Sequence, residues 1–276
     1  MITIKREVPE LPQKRFSIGR IYLALVLVVM YLPIFYLIYY SFSSGERMDG
    51  FHHFSWVHYQ ALFQDTRMIS IVLNTLVLAL LSALLATVVG TAGALMINGM
   101  HNRLWRRNIL ILNNILLVSP DVIIGASFLI FFTFLGFKLG FWSVLFSHVA
   151  FSIPIVVLMV LPRVKELPKS LKDAAYDLGA TRWQAFSQVT IPGIMDGIMA
   201  GFFMALTYSL DDFAVTFFVT GNGFSTLSVE IYSRARQGID LEINALSTIM
   251  FLVSLILVYI YYRFSTKKGA KRRLTQ

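Results

Sequence analysis

The chain has 276 residues, 57% of them hydrophobic and 14% charged, with a mean hydropathy of +0.68. A composition this apolar excludes an ordinary soluble domain and places the chain in the membrane class. The formal net charge of +9 reads as a topology signal with attraction to anionic lipid rather than to nucleic acid, and zero cysteines exclude disulfides and thiolate metal sites.

In chain order, residues 1–20 form a basic tail, and six apolar stretches follow: Ile21–Phe42, Ile69–Ile97, Ile109–Leu135, Phe141–Pro162, Gly197–Thr220 and Ile243–Tyr262. Each approaches or exceeds the roughly 20 residues that cross a bilayer as a helix. The first lacks the short apolar core and small-residue cleavage site of a signal peptide, so it reads as a retained span. The runs are continuous rather than alternating, which argues against a β-barrel. The expectation is an all-α, six-span membrane domain over 21–263, with a cytoplasmic segment at 163–196 and a basic tail at 264–276.

Orientation follows from Lys and Arg. The tail holds Lys5, Arg6, Lys14, Arg15 and Arg20, and the turn after span two holds Arg103, Arg106 and Arg107. Segment 163–196 and the C-terminal stretch from Arg263 continue the series, giving nineteen cations on one side against five on the other (Arg47, Arg67, Lys138, Arg234, Arg236). Both termini and segment 163–196 are therefore expected in the cytoplasm.

That segment reads as two capped helices hinged at Gly179. Ser170 with Asp173 suits one cap, Thr181 with Gln184 fits a capping box, and Gly179 stands where left-handed backbone ends a helix. Pro192 is expected to close it. A helix pair presented between two spans is a docking site for another protein. No Gly-rich phosphate loop ending in Lys-Ser or Lys-Thr is present, nor a Ser–His–carboxylate motif, so no enzyme activity is expected and any ATPase is a separate chain. His52, His53 and His58 fall in an aromatic outer stretch that reads as an interfacial helix rather than a metal site. Trp56 within it suits stacking on an amine, meeting a partner, or anchoring the interface.

Ionisable groups inside spans are costly and mark candidate pathways. They are Asp121, His148, Asp211 and Asp212. At ~1.5 Å per residue, Asp121 lies roughly 18 Å, and His148 and Asp211 about 21 Å, from the cytoplasmic ends of their spans. Asp211 and Asp212, about 100° apart on a helix, cannot both face one pathway. Tyr208 and Ser209 add hydroxyls, and Phe213 and Phe217 offer ring faces to an ammonium. Pro120 before Asp121 should kink span three and free the Leu116 carbonyl. Structural readings stand beside each: Asp121 repairing the kink, an interhelical carboxylate pair, and a packed His148. Glu230, Asp240 and Glu242 read as solvated, and Gly193, Gly197 and Gly201 as close helix packing.

The run Asp173-Ala174-Ala175, Gly179 and Val189-Thr190-Ile191-Pro192 resembles the cytoplasmic loop of type I ABC importer permeases, with aspartate where that family has glutamate. Ser119-Pro120-Asp121, Leu139 to His148, Ser209-Leu210-Asp211-Asp212-Phe213, Phe218 to Gly221 and Glu242 to Leu246 resemble the spermidine/putrescine branch, in particular its C-type membrane subunit. The resemblance implies a type I permease fold and a heterodimer with a second permease subunit. It also implies two copies of a cytoplasmic ATPase, which would hold the ATP and Mg, and an extracytoplasmic polyamine-binding protein in a bacterial inner membrane. It assigns Asp173, Ala174, Ala175, Gly179 and Pro192 to ATPase coupling, and this chain would bind no cofactor. Rival readings are a permease for another small solute, a proton-coupled carrier using Asp121 and Asp211, and a membrane scaffold.

Overall fold

The computed structural model describes residues 18–45, 48–237 and 241–273. Lys5, Arg6, Lys14, Arg15, Arg47 and Asp240, invoked above, lie outside the described residues. The first half comprises α1 (Ile18–Tyr40), α2 (Val57–Gln64), α3 (Thr66–Gly99), α4 (Arg103–Val118), α5 (Asp121–Phe134) and α6 (Phe141–Glu166). Then come α7 (Lys169–Asp177), α8 (Arg182–Gln184), a π-helical turn (Ala185–Thr190), α9 (Ile191–Asp211), α10 (Ala214–Val219), α11 (Leu227–Gln237) and α12 (Leu241–Arg273). Among the described residues five helices are long and apolar enough to cross a bilayer, and up to six if α4 and α5, bent by 106° at their break, count as one span.

The core is the packing of α3, α6 and α9. Buried positions Ala79, Ala83, Ala86, Gly90, Ala94 and Ile97 recur every three or four residues, giving α3 one flat face of mostly small side chains. A Cβ on Gly90 would stand 2.7 Å from the Val156 Cβ, so glycine is what lets α3 and α6 approach. On α9, Gly193, Gly197 and Gly201 meet Leu167, Arg163 and Val156 of the α6 segment, the close packing that their spacing implied.

Two spans are interrupted rather than kinked. Ser119 is extended (φ −71°, ψ 138°), as a residue before proline prefers, and α4 stops at Val118. Asp121 is then the first residue of α5, where the helix dipole favours a carboxylate. The expected Pro120 kink is thus a full break. Likewise the stretch expected as one span over 197–220 ends at Asp211, turns through an extended Asp212 (φ −63°, ψ 121°), and resumes as α10. The outer halves α5 and α10 pack on each other: a Cβ on Gly125 would lie 2.8 Å from Phe218 Cδ2 and 3.0 Å from Val215 Cα.

Three further expectations are corrected. Ser170 does not cap α7, which starts at Lys169 after Pro168. Pro192 does not close the cytoplasmic segment, because helix runs unbroken from Arg182 to Asp211. The π-turn accounts for this: the Ile191 amide bonds Phe186 O, five residues back, and the widened turn relieves the clash of a proline ring with a carbonyl four residues earlier. Finally, the aromatic outer stretch is helical only from Val57; Ser43 and Phe54 instead form an antiparallel bridge.

Candidate translocation face and coupling elbow

Four residues of α9, Met204, Thr207, Tyr208 and Asp211, fall on one helical face by their spacing, and all four are exposed. The Tyr208 hydroxyl donates to Asp121 Oδ1 at 2.7 Å, so the two broken spans meet at this face. Asp211 lines a cavity of about 330 Å³ between α9, α11 and α12, together with Thr207, Ser228 and Ser254. No hydrogen bond among the described residues holds its carboxylate. Beside it, Phe213 lies 4.3 Å from the Tyr232 ring and 5.4 Å from Phe217. The face thus combines two carboxylates, a phenol and exposed aromatic rings, which suits an organic cation.

Asp212 turns the other way, into protein. Its Oδ1 accepts from the Val215 amide at 3.3 Å, and its Oδ2 accepts from the Thr216 amide (2.8 Å) and hydroxyl (2.7 Å). His148, 0% exposed, stands between the two sides of the break. Its Nδ1 is 2.7 Å from Ser209 Oγ, its Nε2 is 2.8 Å from Thr216 Oγ1, and Asp212 Oδ2 is 3.4 Å from Nε2. Ser209 continues to Ser82 of α3 at 2.8 Å. The candidate residues therefore separate: Asp121, Tyr208 and Asp211 lie on the open face, while His148, Ser209 and Asp212 form a buried cluster. Sequence reasoning missed Ser82 and Thr216. Thr216 was legible as a residue four past an aspartate that caps a short helix, whereas Ser82 looked like any small residue of α3.

The elbow between α7 and α8 is built around Gly179, whose φ of +82° is the left-handed conformation that glycine adopts without strain. The Gly179 amide bonds Tyr176 O (2.9 Å) and the Ala180 amide bonds Ala175 O (3.0 Å), the paired bonds that terminate α7. Thr181 and Gln184 then cap α8 reciprocally. Nothing in α7 is buried, and Asp173 and Ala174 face outward. Leu178 is 89% and Trp183 71% exposed, an apolar pair bracketing the turn. Large apolar side chains exposed on a polar helix pair make this a candidate protein-docking surface.

Trp56 belongs to an outer aromatic group, its ring 5.0 Å from Phe42, 5.3 Å from Tyr59 and 5.8 Å from Phe54. Glu230 is not solvated as expected; it is buried between Arg67 (2.9 Å) and Arg234 (3.0 Å). Arg234 also reaches Glu242 (3.2 Å) and Asp65 (3.4 Å), tying α11 to the outer ends of α3 and α12.

Broken spans around an acidic face and an outward-facing elbow define a membrane transport subunit, and the chain belongs to the family described as binding-protein-dependent transport system inner membrane component, whose model matches residues 90–269. It is 34% identical over 247 residues to the spermidine/putrescine transport system permease protein PotC of Escherichia coli K12, covering 87% of this chain and 92% of that one. The putrescine transport system permease protein PotI of the same organism is 33% identical, with 87% and 88% covered. In fold, it is similar to a bacterial ABC transporter involved in import of the acidic polysaccharide alginate (TM-score 0.68, 20% identity, 90% and 96% covered). The MetNI methionine ABC transporter in an inward-facing conformation gives a TM-score of 0.61 at 17% identity, with 74% and 99% covered. The fold is accordingly that of a type I ABC importer permease.

Proposed function

We propose that this chain is a membrane subunit of an ATP-driven polyamine importer, equivalent to the C-type permease of the spermidine/putrescine systems. The observation that carries this is the open face of α9, where Tyr208 bonds Asp121 of the other broken span and Asp211 is exposed one turn on. Discontinuous helices carrying charge at mid-depth are where transporters hold ions and solutes. The names of the relatives support the cargo. A polyamine offers several ammonium groups joined by methylenes, which matches separated carboxylates interleaved with aromatic rings.

In this reading the chain performs no covalent chemistry. It pairs with a second permease subunit, and an extracytoplasmic binding protein delivers the cation. Two copies of a cytoplasmic ATPase, holding ATP and Mg, grip the elbow formed by Asp173, Ala174, Ala175 and Gly179, with Leu178 and Trp183 at the contact. Both termini lie in the cytoplasm of a bacterial cell, with the spans in its inner membrane. Motion at the elbow needs no further relay, since the helix that begins at Arg182 ends at Asp211. ATPase closure therefore displaces the cargo face directly, about 44 Å away along one rod.

Reconstitution in proteoliposomes tests this with radiolabelled spermidine and putrescine, ATP inside, and the binding protein outside. Uptake should require the ATPase and nucleotide, and Asp211→Asn should abolish it while the ATPase still co-purifies. Uptake that survives omission of the ATPase would point to a carrier and sink the reading.

A further inference from the structure

Among the described residues the Asp211 carboxylate has no hydrogen bond of its own, so the backbone that carries it sets where it points. Its position follows from the backbone at 211–213, and that backbone is fixed through its neighbour. Asp212 is held by the α10 amides and by Thr216. One side chain from outside the broken span completes the arrangement. His148 of α6 reaches Ser209 before the break, Asp212 within it and Thr216 after it.

We infer that His148 is a positioning residue for cation recognition, acting through Asp212 to hold Asp211 on the cargo face; this rests on the function proposed above. The geometry of the hydrogens supports it. Ser82 and Ser209 share a single hydrogen across their 2.8 Å contact, which either hydroxyl can supply. With the Thr216 hydroxyl hydrogen given to Asp212, His148 Nε2 donates to Thr216, while Nδ1 pairs with Ser209 on the other side of the break. The path begins on α3, passes through α6, and ends at the start of α10. Because α3, α6 and α9 are close-packed, the ring transmits the position of a rigid core to the break.

A leucine at 148 keeps volume but removes both ring hydrogen bonds. It leaves Asp212 tied to α10 alone and lets the last turn of α9 drift relative to it, carrying Asp211 out of register with the Asp121–Tyr208 pair. The elbow, on the far end of the rod, is untouched.

The experiment is initial-rate uptake of radiolabelled spermidine and putrescine by the complete reconstituted transporter, comparing wild type with His148→Leu, His148→Gln and Thr216→Val. His148→Leu should raise KM roughly tenfold, within the coupling range of contacting residues. Maximal rate and ATPase co-purification should change less than about twofold, since that coupling does not reach the elbow. His148→Gln keeps a donor directed at Thr216 and should recover part of the loss. Thr216→Val removes the hydroxyl shared by His148 and Asp212 and should raise KM likewise; it decides the matter if His148→Leu fails to fold. An unchanged KM with a lowered maximal rate in these variants, or no recovery with glutamine, overturns the inference and leaves His148 a packing residue. A wild-type transporter that takes up neither polyamine with ATP takes down the functional reading and this inference together.

Discussion

Gly125 gives the most direct test of how the two broken spans are joined. It lies inside α5, yet its pro-Cβ position is crowded by Val215 Cα at 3.0 Å and Ala214 O at 3.1 Å, both backbone, besides Phe218 Cδ2 at 2.8 Å. Backbone cannot rotate away, so Gly125→Ala must push α5 off α10. Overpacking of this kind costs about 1–3 kcal/mol, against about 0.5–1 kcal/mol gained from replacing a helical glycine. The net loss of up to about 2.5 kcal/mol corresponds to a fall of up to roughly 10 °C in Tm for a domain of this size. Gly93 supplies the control. It is also helical, but its nearest contact is the Val157 Cγ2 at 3.8 Å, ordinary van der Waals distance. Gly93→Ala should therefore keep or raise Tm, by roughly 1–4 °C. Thermal unfolding of both variants in detergent, followed by tryptophan fluorescence, measures the difference; uptake should fall for Gly125→Ala because α5 carries Asp121. If Gly125→Ala proves as stable as Gly93→Ala and transports normally, the α5–α10 contact is not what closes this face.

The remaining predictions concern the face, the elbow and the outer cap. Asp211→Asn should leave Tm unchanged and abolish uptake, whereas Asp212→Ala should lower Tm because two amides and the Thr216 hydroxyl lose their acceptor; equal Tm values would contradict the division of the pair. Trp183→Ala, at an exposed position, should alter Tm by no more than ~0.5 kcal/mol-equivalent yet reduce ATPase co-purification; a full complex would remove that ring from the docking surface. Gly179→Val forces a β-branched residue into left-handed backbone, a strain of roughly 1–2 kcal/mol, and should weaken nucleotide-stimulated coupling. At Asp65 the Met68 amide, then that of Arg67, hold the carboxyl below its ordinary range. Its folded value being depressed, the stabilisation is complete above the unfolded value near ~3.9 and fades as pH falls through the lowered native one. The Tm gap between wild type and Asp65→Ala should therefore be full at neutral pH and narrow in strong acid; a pH-independent gap would refute the capping account.

Much of this was written in local patterns. The elbow was readable because Gly179 and the Thr181–Gln184 box act within one turn of chain, and the glycine series on α9 because packing repeats every fourth residue. The same locality explains what failed. Pro120 announced a disturbance, but whether a helix kinks or stops depends on what receives its outer half, here α10 across the Gly125 contact. Asp211 and Asp212 were indistinguishable as neighbours on an imagined continuous helix; they separate because Asp212 leaves helical geometry to cap α10. Glu230 looked solvated because its partners, Arg67 and Arg234, include one 163 residues away. Pro192 looked like a terminator because nothing local declares a π-turn.

The rod from Arg182 to Asp211 ends where Asp212 becomes extended, and this has a consequence for how force is spent. If a partner grips the elbow as proposed, a push there runs along one helix to Asp211 and passes on to α10 only through Asp212, which Thr216 and His148 clamp.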